Sequence, residues 1–191
     1  MLDYVLPYFN ESVYVMMFWF FAYSIMGWLV ESIYMSFCNR RITNRGFIHG
    51  PICPIYGIGG IGVHMALRGL SYNYLILYIA GAILATSFEY ITARLMIRVF
   101  GFVWWDYSNK PFNFRNIICL ESTLAWGVYT VLEFAVFQRM VFSLIDRTPR
   151  FLGKSAVVVI SIYFLIDLGI CLLHAKRGEL QADENNVLAF K

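Results

Sequence analysis

The sequence predicts an all-α, polytopic membrane protein. Of its 191 residues 60% are hydrophobic and only 14% are charged, where a soluble domain carries about a quarter charged residues. Mean hydropathy is +0.63. Apolar runs approaching the ~20 residues needed to cross a bilayer recur along the chain, about five of them. That many crossings leave no room for a soluble domain of ~100 residues. Residues 1–175 therefore read as a single membrane domain and residues 176–191 as a polar C-terminal tail. The net charge of +3 points to no partner, nucleic acid included, because cationic residues in such a chain chiefly set its orientation. Membrane lipids are the implied surroundings.

The start, MLDYVLPYFNES, lacks Lys and Arg and has no small-residue cleavage site, so no removable signal peptide is expected. The first crossing is Val13 to Met35, interrupted only near its end by Glu31. A short, glycine-rich second segment follows from Ile55 to Leu70, carrying His64. The third, Tyr74 to about Ile97, holds Glu89 and Arg94 in its second half. The fourth, Ile117 to about Phe137, opens with Glu121 and contains Glu133. The fifth, Ala156 to His174, has Asp167 inside it.

Five crossings place the two ends on opposite sides. One side then receives Arg40, Arg41, Arg45, Arg94, Arg98, Lys110, Arg115, Lys176, Arg177 and Lys191; the other receives Arg68, Arg139, Arg147, Arg150 and Lys154. The excess of cations on the first side makes it cytoplasmic, with the N-terminus out and the C-terminus in. The cation-rich stretch 139–154 runs against this, so either it folds back as an amphipathic surface helix or the number of crossings differs by one.

Between the first two apolar segments lies NRGFIHGPICPIYGIGGIG, Asn44 to Gly62, with Pro51, Pro54 and six glycines. These residues favour irregular backbone. At membrane depth irregular backbone survives only where protein or a water-filled cavity satisfies its amides. The stretch thus reads as a re-entrant loop lining a polar site.

Ionisable side chains inside apolar helices are costly, roughly 2.5–3.5 kcal/mol at the centre on insertion scales, and mark function by default. Glu31, Glu89 and Glu121 approach one face of the membrane, where they can bind a cation, relay protons or simply pair with Arg45, Arg94 or Arg115. Glu133 and Asp167 lie deeper or nearer the other face, which leaves room for a second polar layer, and neither has an obvious partner in the sequence. The loop GFVWWDYSNKPFNFRN adds Asp106, Tyr107, Ser108 and Asn113 beside Trp104 and Trp105. Trp104 reads as part of an interfacial aromatic belt, and the Asp106–Ser108 run as groups suited to gripping a polar or cationic ligand. His49, Cys53, Cys38 and Cys119 are of metal-ligand type, but their spacing matches no compact zinc pattern, so no metal and no cofactor is expected. A His49–Cys53 nucleophile pair has no better support. GxxxxGK[ST] is absent from the sequence, so any energy from ATP must come from another subunit.

Five ordered motifs carry a family resemblance: GWLVESIY (Gly27–Tyr34), NRGFIHGPICPIYGIG (Asn44–Gly59), FEYITA (Phe88–Ala93), WWDYS with PFN (Trp104–Ser108, Pro111–Asn113) and ICLESTLAWG (Ile118–Gly127). In these the chain resembles the CmpB-like family of bacterial multi-pass membrane proteins, labelled ABC-transporter type IV. The resemblance implies a permease character in the bacterial inner (cytoplasmic) membrane, with a separate ATPase subunit or a homo-oligomer as partner. It carries over Glu31, Asn44, Arg45, Gly50, Pro51, Pro54, Tyr56, Glu89, Asp106, Tyr107, Asn113 and Trp126 as site positions. Glu121, where relatives are expected to be less acidic, joins the candidate substrate-binding set from its depth alone. The leading functional expectation is a permease-like or substrate-binding membrane component for a small polar or amphipathic substrate. Two others stay open: a membrane enzyme acting on a lipid or lipid-linked substrate, and a non-catalytic scaffold or regulator.

Overall fold

Three of the long helices begin at a side-chain cap, and the last begins after Pro149 without one. In the computed structural model, which describes residues 2–7, 11–44, 46–103, 105–177, 180–182 and 188–190, α1 spans Val13–Asn39, and the Ser12 hydroxyl accepts from the Val15 amide at its start. Helix α2 is short, Pro54–Leu67, and is followed by a 3-10 turn at Arg68–Leu70. Helix α3, Tyr74–Phe100, is capped by the Asn73 side chain and ends at Gly101, whose φ of 86° suits glycine. Helix α4, Leu120–Leu132, starts with a capping box between Cys119 and Ser122. It continues through one π-helical turn, Glu133–Phe137, into α5, Gln138–Arg147; α6 then covers Arg150–Lys176. Among the described residues the strands are three short antiparallel pairs, the third being Leu180–Ala182 with Leu188–Phe190 in the tail. The fold is all-α, as expected.

Among the described residues, four stretches are long and apolar enough to cross a membrane: Val13–Asn39, Tyr74–Phe100, Leu120–Arg147 and Arg150–Ala175. The second apolar segment differs from the other expected crossings. Its helix has 14 residues, about 21 Å at 1.5 Å per residue, against ~30 Å of hydrocarbon. The cation-rich stretch 139–154 does not fold back as a separate surface helix. It forms the end of one long helix and the start of the next, with only Thr148 and Pro149 between them.

By their contacts the residues form two units, Met1–Ile61 with Met140–Lys191 and Gly62–Arg139. In the first, α1 and α6 run parallel. Asp3 accepts a 2.6 Å hydrogen bond from Lys154, which holds its carboxyl below the usual carboxylate range, and Tyr14 packs against Gly153. Further along, Phe20 and Phe21 meet the Phe164 ring at 5.6 and 6.0 Å. Beyond the end of α1, His49 and Gly50 reach Asp167, late in α6. The stretch after α1 turns back along it, so that the Cys53 amide donates to the Ser24 carbonyl near the middle of α1. Helix α2 starts at that level. Gly57 sits against Phe20 and Ser24, and Gly60 against Tyr23, so the helices pack through small residues. The core of this unit gathers Tyr14, Phe21, Ile48, Ile52, Val157 and Cys171.

The second unit is built on the antiparallel pair α3 and α4. Thr86 and Thr123 hydrogen-bond at 3.1 Å, Gly81 faces Thr130, and Gly127 faces the Tyr78 ring. Val63, Leu67, Leu77 and Ala85 form its core. A methyl group on Gly81 would overlap Thr130 at its oxygen and its Cβ, an atom that no rotamer change removes, whereas Gly62 has nothing within 4 Å of such a group. Gly81→Ala is therefore expected to destabilise the protein by about 1–3 kcal/mol. Gly62→Ala should be neutral or stabilising by up to about 1 kcal/mol, since alanine is the better helix former. Thermal unfolding of the two variants in one detergent checks both.

Candidate functional site

In the second unit the chemistry centres on Glu89, 4% exposed in the second half of α3. Its Oε1 accepts from the Tyr107 hydroxyl at 3.0 Å. Its Oε2 accepts from the Trp126 indole N–H at 3.0 Å and from the Ser122 hydroxyl at 3.3 Å. Ser122 and Trp126 lie one turn apart on α4, so one face of that helix presents both donors. Tyr107 comes from the aromatic loop. Three neutral donors thus converge on one carboxyl group.

The loop that delivers Tyr107 is held by its own polar residues. Asp106 accepts from the Ser108 amide at 2.9 Å and the Ser108 hydroxyl at 2.8 Å. Asn113 donates to the Lys110 carbonyl at 2.8 Å and accepts from the Asn116 amide at 3.3 Å. The Tyr107 amide donates to the Asn116 carbonyl, and the Trp105 indole to the Ile117 carbonyl at 2.8 Å. Phe112, Arg115 and Asn116 take positive φ in the tight turns that result. Asp106 and Asn113 thus shape the loop, while Tyr107 meets the buried acid. Glu121 forms a 2.8 Å ion pair with Lys110, both side chains well exposed. Beside this cluster a cleft of about 400 Å³ is lined by Thr86, Ser87, Tyr90, Ile91, Phe114 and Ile118.

A second buried acid lies in the same unit. Glu133, the first residue of the π-turn, has its Oε1 3.5 Å from His64 Nδ1, and the imidazole stacks on Phe134 at 4.9 Å. Turns of this kind occur often at functional positions.

In the first unit, Asn44 bridges two segments: its Oδ1 accepts from the Trp28 indole at 2.6 Å and its Nδ2 donates to the His49 carbonyl at 3.0 Å. Glu31 lies 4.0 Å from the Cys53 thiol, and the Tyr56 ring occupies the space where Gly27 lacks a side chain. Arg45 and Trp104 fall outside the described residues. Sequence reasoning passed over a third cluster. His49 Nδ1 is 2.6 Å from Asp167 Oδ1 and 3.3 Å from Cys171 Sγ, and the Gly50 amide donates to Asp167 Oδ2 at 2.8 Å. The available signal was the four-residue spacing of Asp167 and Cys171, which puts both on one face of a helix.

A family model described as "Putative ABC-transporter type IV" matches residues 18–172. No curated protein and no solved structure matches the chain.

The bond from Tyr107 is part-buried, and removing its donor leaves a buried carboxyl oxygen short of a partner, at a cost of about 1–3 kcal/mol. The Lys110–Glu121 pair is exposed, and such pairs contribute about 1 kcal/mol or less. Tyr107→Phe is therefore expected to lower unfolding stability clearly and Lys110→Ala hardly at all. Equal effects in a denaturation series in detergent would contradict the assignment of Tyr107 as a ligand of Glu89.

Proposed function

The chain belongs to the ABC-transporter type IV (CmpB) family, and from that membership we propose that it is a permease-like or substrate-binding membrane component, handling a small polar or amphipathic substrate at its buried acids. The observation that carries the reading is Glu89. A carboxylate deep in an apolar helix is held by three donors, one of them on a loop outside the helices. A ligand with a cationic or hydrogen-bond-donating group competes with Tyr107 for the same oxygen, so binding and loop position become one equilibrium. Within the second unit Asp106, Asn113, Glu121 and Trp126 complete the proposed set around Glu89, and within the first unit Glu31, Asn44, Arg45 and Tyr56 form a proposed set of their own.

The parallel course of α1 and α6 supports five crossings. Two membrane helices that run the same way need an odd number of crossings between them. Helix α3 and the helix Leu120–Arg147 supply two, and the segment Ile42–Leu70 supplies the third, half irregular backbone and half α2. Broken crossings of this type build substrate sites in transporters. The ends then face opposite sides, with the N-terminus out and the C-terminus in by charge bias, in a bacterial inner membrane. With no nucleotide-binding loop in its sequence, the chain takes its energy from a separate ATPase subunit, with or without a second copy of itself.

The test uses the chain extracted from its own membrane in mild detergent. ATP-hydrolysing activity should co-purify with it, and Glu89→Gln should reduce that activity at least tenfold and reproduce the phenotype of a deletion strain. The melting temperature of Glu89→Gln reports whether folding survives. A folded Glu89→Gln protein that supports normal growth removes Glu89 from the site. A wild-type preparation free of ATP hydrolysis overturns the transporter assignment.

A further inference from the structure

The geometry points to a metal site: we propose that His49, Asp167 and Cys171 bind a divalent transition ion of the zinc type, which clips the irregular stretch after α1 to α6. Nδ1, Oδ1 and Sγ, one donor from each residue, lie within 4.8 Å of one another. Their separations are 2.6 Å for His49–Asp167, 3.3 Å for His49–Cys171 and 3.9 Å for Cys171–Asp167. Zinc bonds of about 2.0–2.3 Å in a tetrahedron require donors about 3.3–3.7 Å apart. Two of the three spacings are already close to this range. The third opens by less than 1 Å through rotation of His49, which sits on irregular backbone with its side chain 44% exposed.

The arrangement does not suit a thiol nucleophile. In a Cys–His–Asp relay the imidazole stands between the other two, one ring nitrogen toward each. Here thiol and carboxylate both face Nδ1; when an ion displaces the Nδ1 proton from the His49–Asp167 hydrogen bond and the thiol proton, three lone pairs converge on one point. Imidazole, thiolate and carboxylate together are a donor set for a borderline ion, and the two anions neutralise its charge.

The surroundings are those of a built site. Asp167 and Cys171 are 6% and 0% exposed, so the anions they supply gain a counter-charge in a place where lipid offers none. The second oxygen of Asp167 is fixed by the Gly50 amide at 2.8 Å, the outer-sphere contact that aims a ligating carboxylate. Gly50 lies close against α6, where a Cβ would meet the tip of the Tyr163 ring, one turn before Asp167. The exposed edge of His49 is the route of entry, and three protein donors leave a fourth tetrahedral position for water.

The proposal stands apart from the transport reading, and its test needs no substrate. Full-length protein stripped with chelator and titrated with Co2+ should develop thiolate-to-cobalt charge-transfer absorption with tetrahedral d–d bands, at one ion per chain. Zn2+ should bleach these bands and raise the melting temperature. Asp167→Asn and His49→Ala should weaken Co2+ binding at least tenfold, Cys171→Ser should lose the charge-transfer band, and Cys119→Ala should bind as wild type. A wild-type protein that develops no thiolate band overturns the proposal whatever the variants do. So does a band that survives Cys171→Ser.

Discussion

A carboxylate inside an apolar helix must find its hydrogen-bond donors within the protein, because lipid has none to offer. Three acids impose this demand: Glu89 on α3, Glu133 on the π-turn and Asp167 on α6, each under 10% exposed. Placing one such group in a membrane helix costs roughly 2.5–3.5 kcal/mol on insertion scales, and a hydrogen bond to a charged group contributes about 1.5–3 kcal/mol. Two or three good donors therefore offset one acid. Glu89 has three and Asp167 has His49 and the Gly50 amide. The 3.5 Å approach of His64 to Glu133 is longer and weaker.

The donors explain the connecting segments. Tyr107 reaches Glu89 only because its loop is closed by Asp106, Asn113 and Trp105 onto its own backbone. His49 and Gly50 reach Asp167 only because the chain after α1 doubles back instead of entering a helix at once. The irregular backbone is satisfied on the way, through Asn44 to the His49 carbonyl and through Cys53 to the Ser24 carbonyl. Glycines supply the close approach: Gly50 at α6, Gly57 at α1, Gly81 at α4. In each unit, the local irregularity and the buried charge are two halves of one arrangement.

Much of the fold was legible in the sequence because hydropathy is additive along the chain. The long helices fall where apolar runs and caps such as Ser12 and Asn73 place them, but the Gly/Pro-rich stretch is irregular only over residues 46–53, its glycine-dense second half being helical in α2. The second apolar segment, Ile55 to Leu70, reads as short and its helix is short, Pro54–Leu67; less legible was the course of the backbone before it. Val63 and Leu67 extend the apolar run, but the helix begins only at Pro54, after the backbone has already returned to the middle of α1.

Composition and the lengths of the apolar runs by themselves determined the class of protein, its long helices and the presence of acids at costly depth, since each depends only on neighbouring residues. Tertiary structure decided which donors meet which acid. His49 and Asp167 are 118 positions apart, and Glu89 and Trp126 are 37 apart, distances at which no local pattern carries information. Only the packing of whole helices brings such groups within 3 Å, and for that reason the His49–Asp167–Cys171 cluster was invisible until the chain was folded.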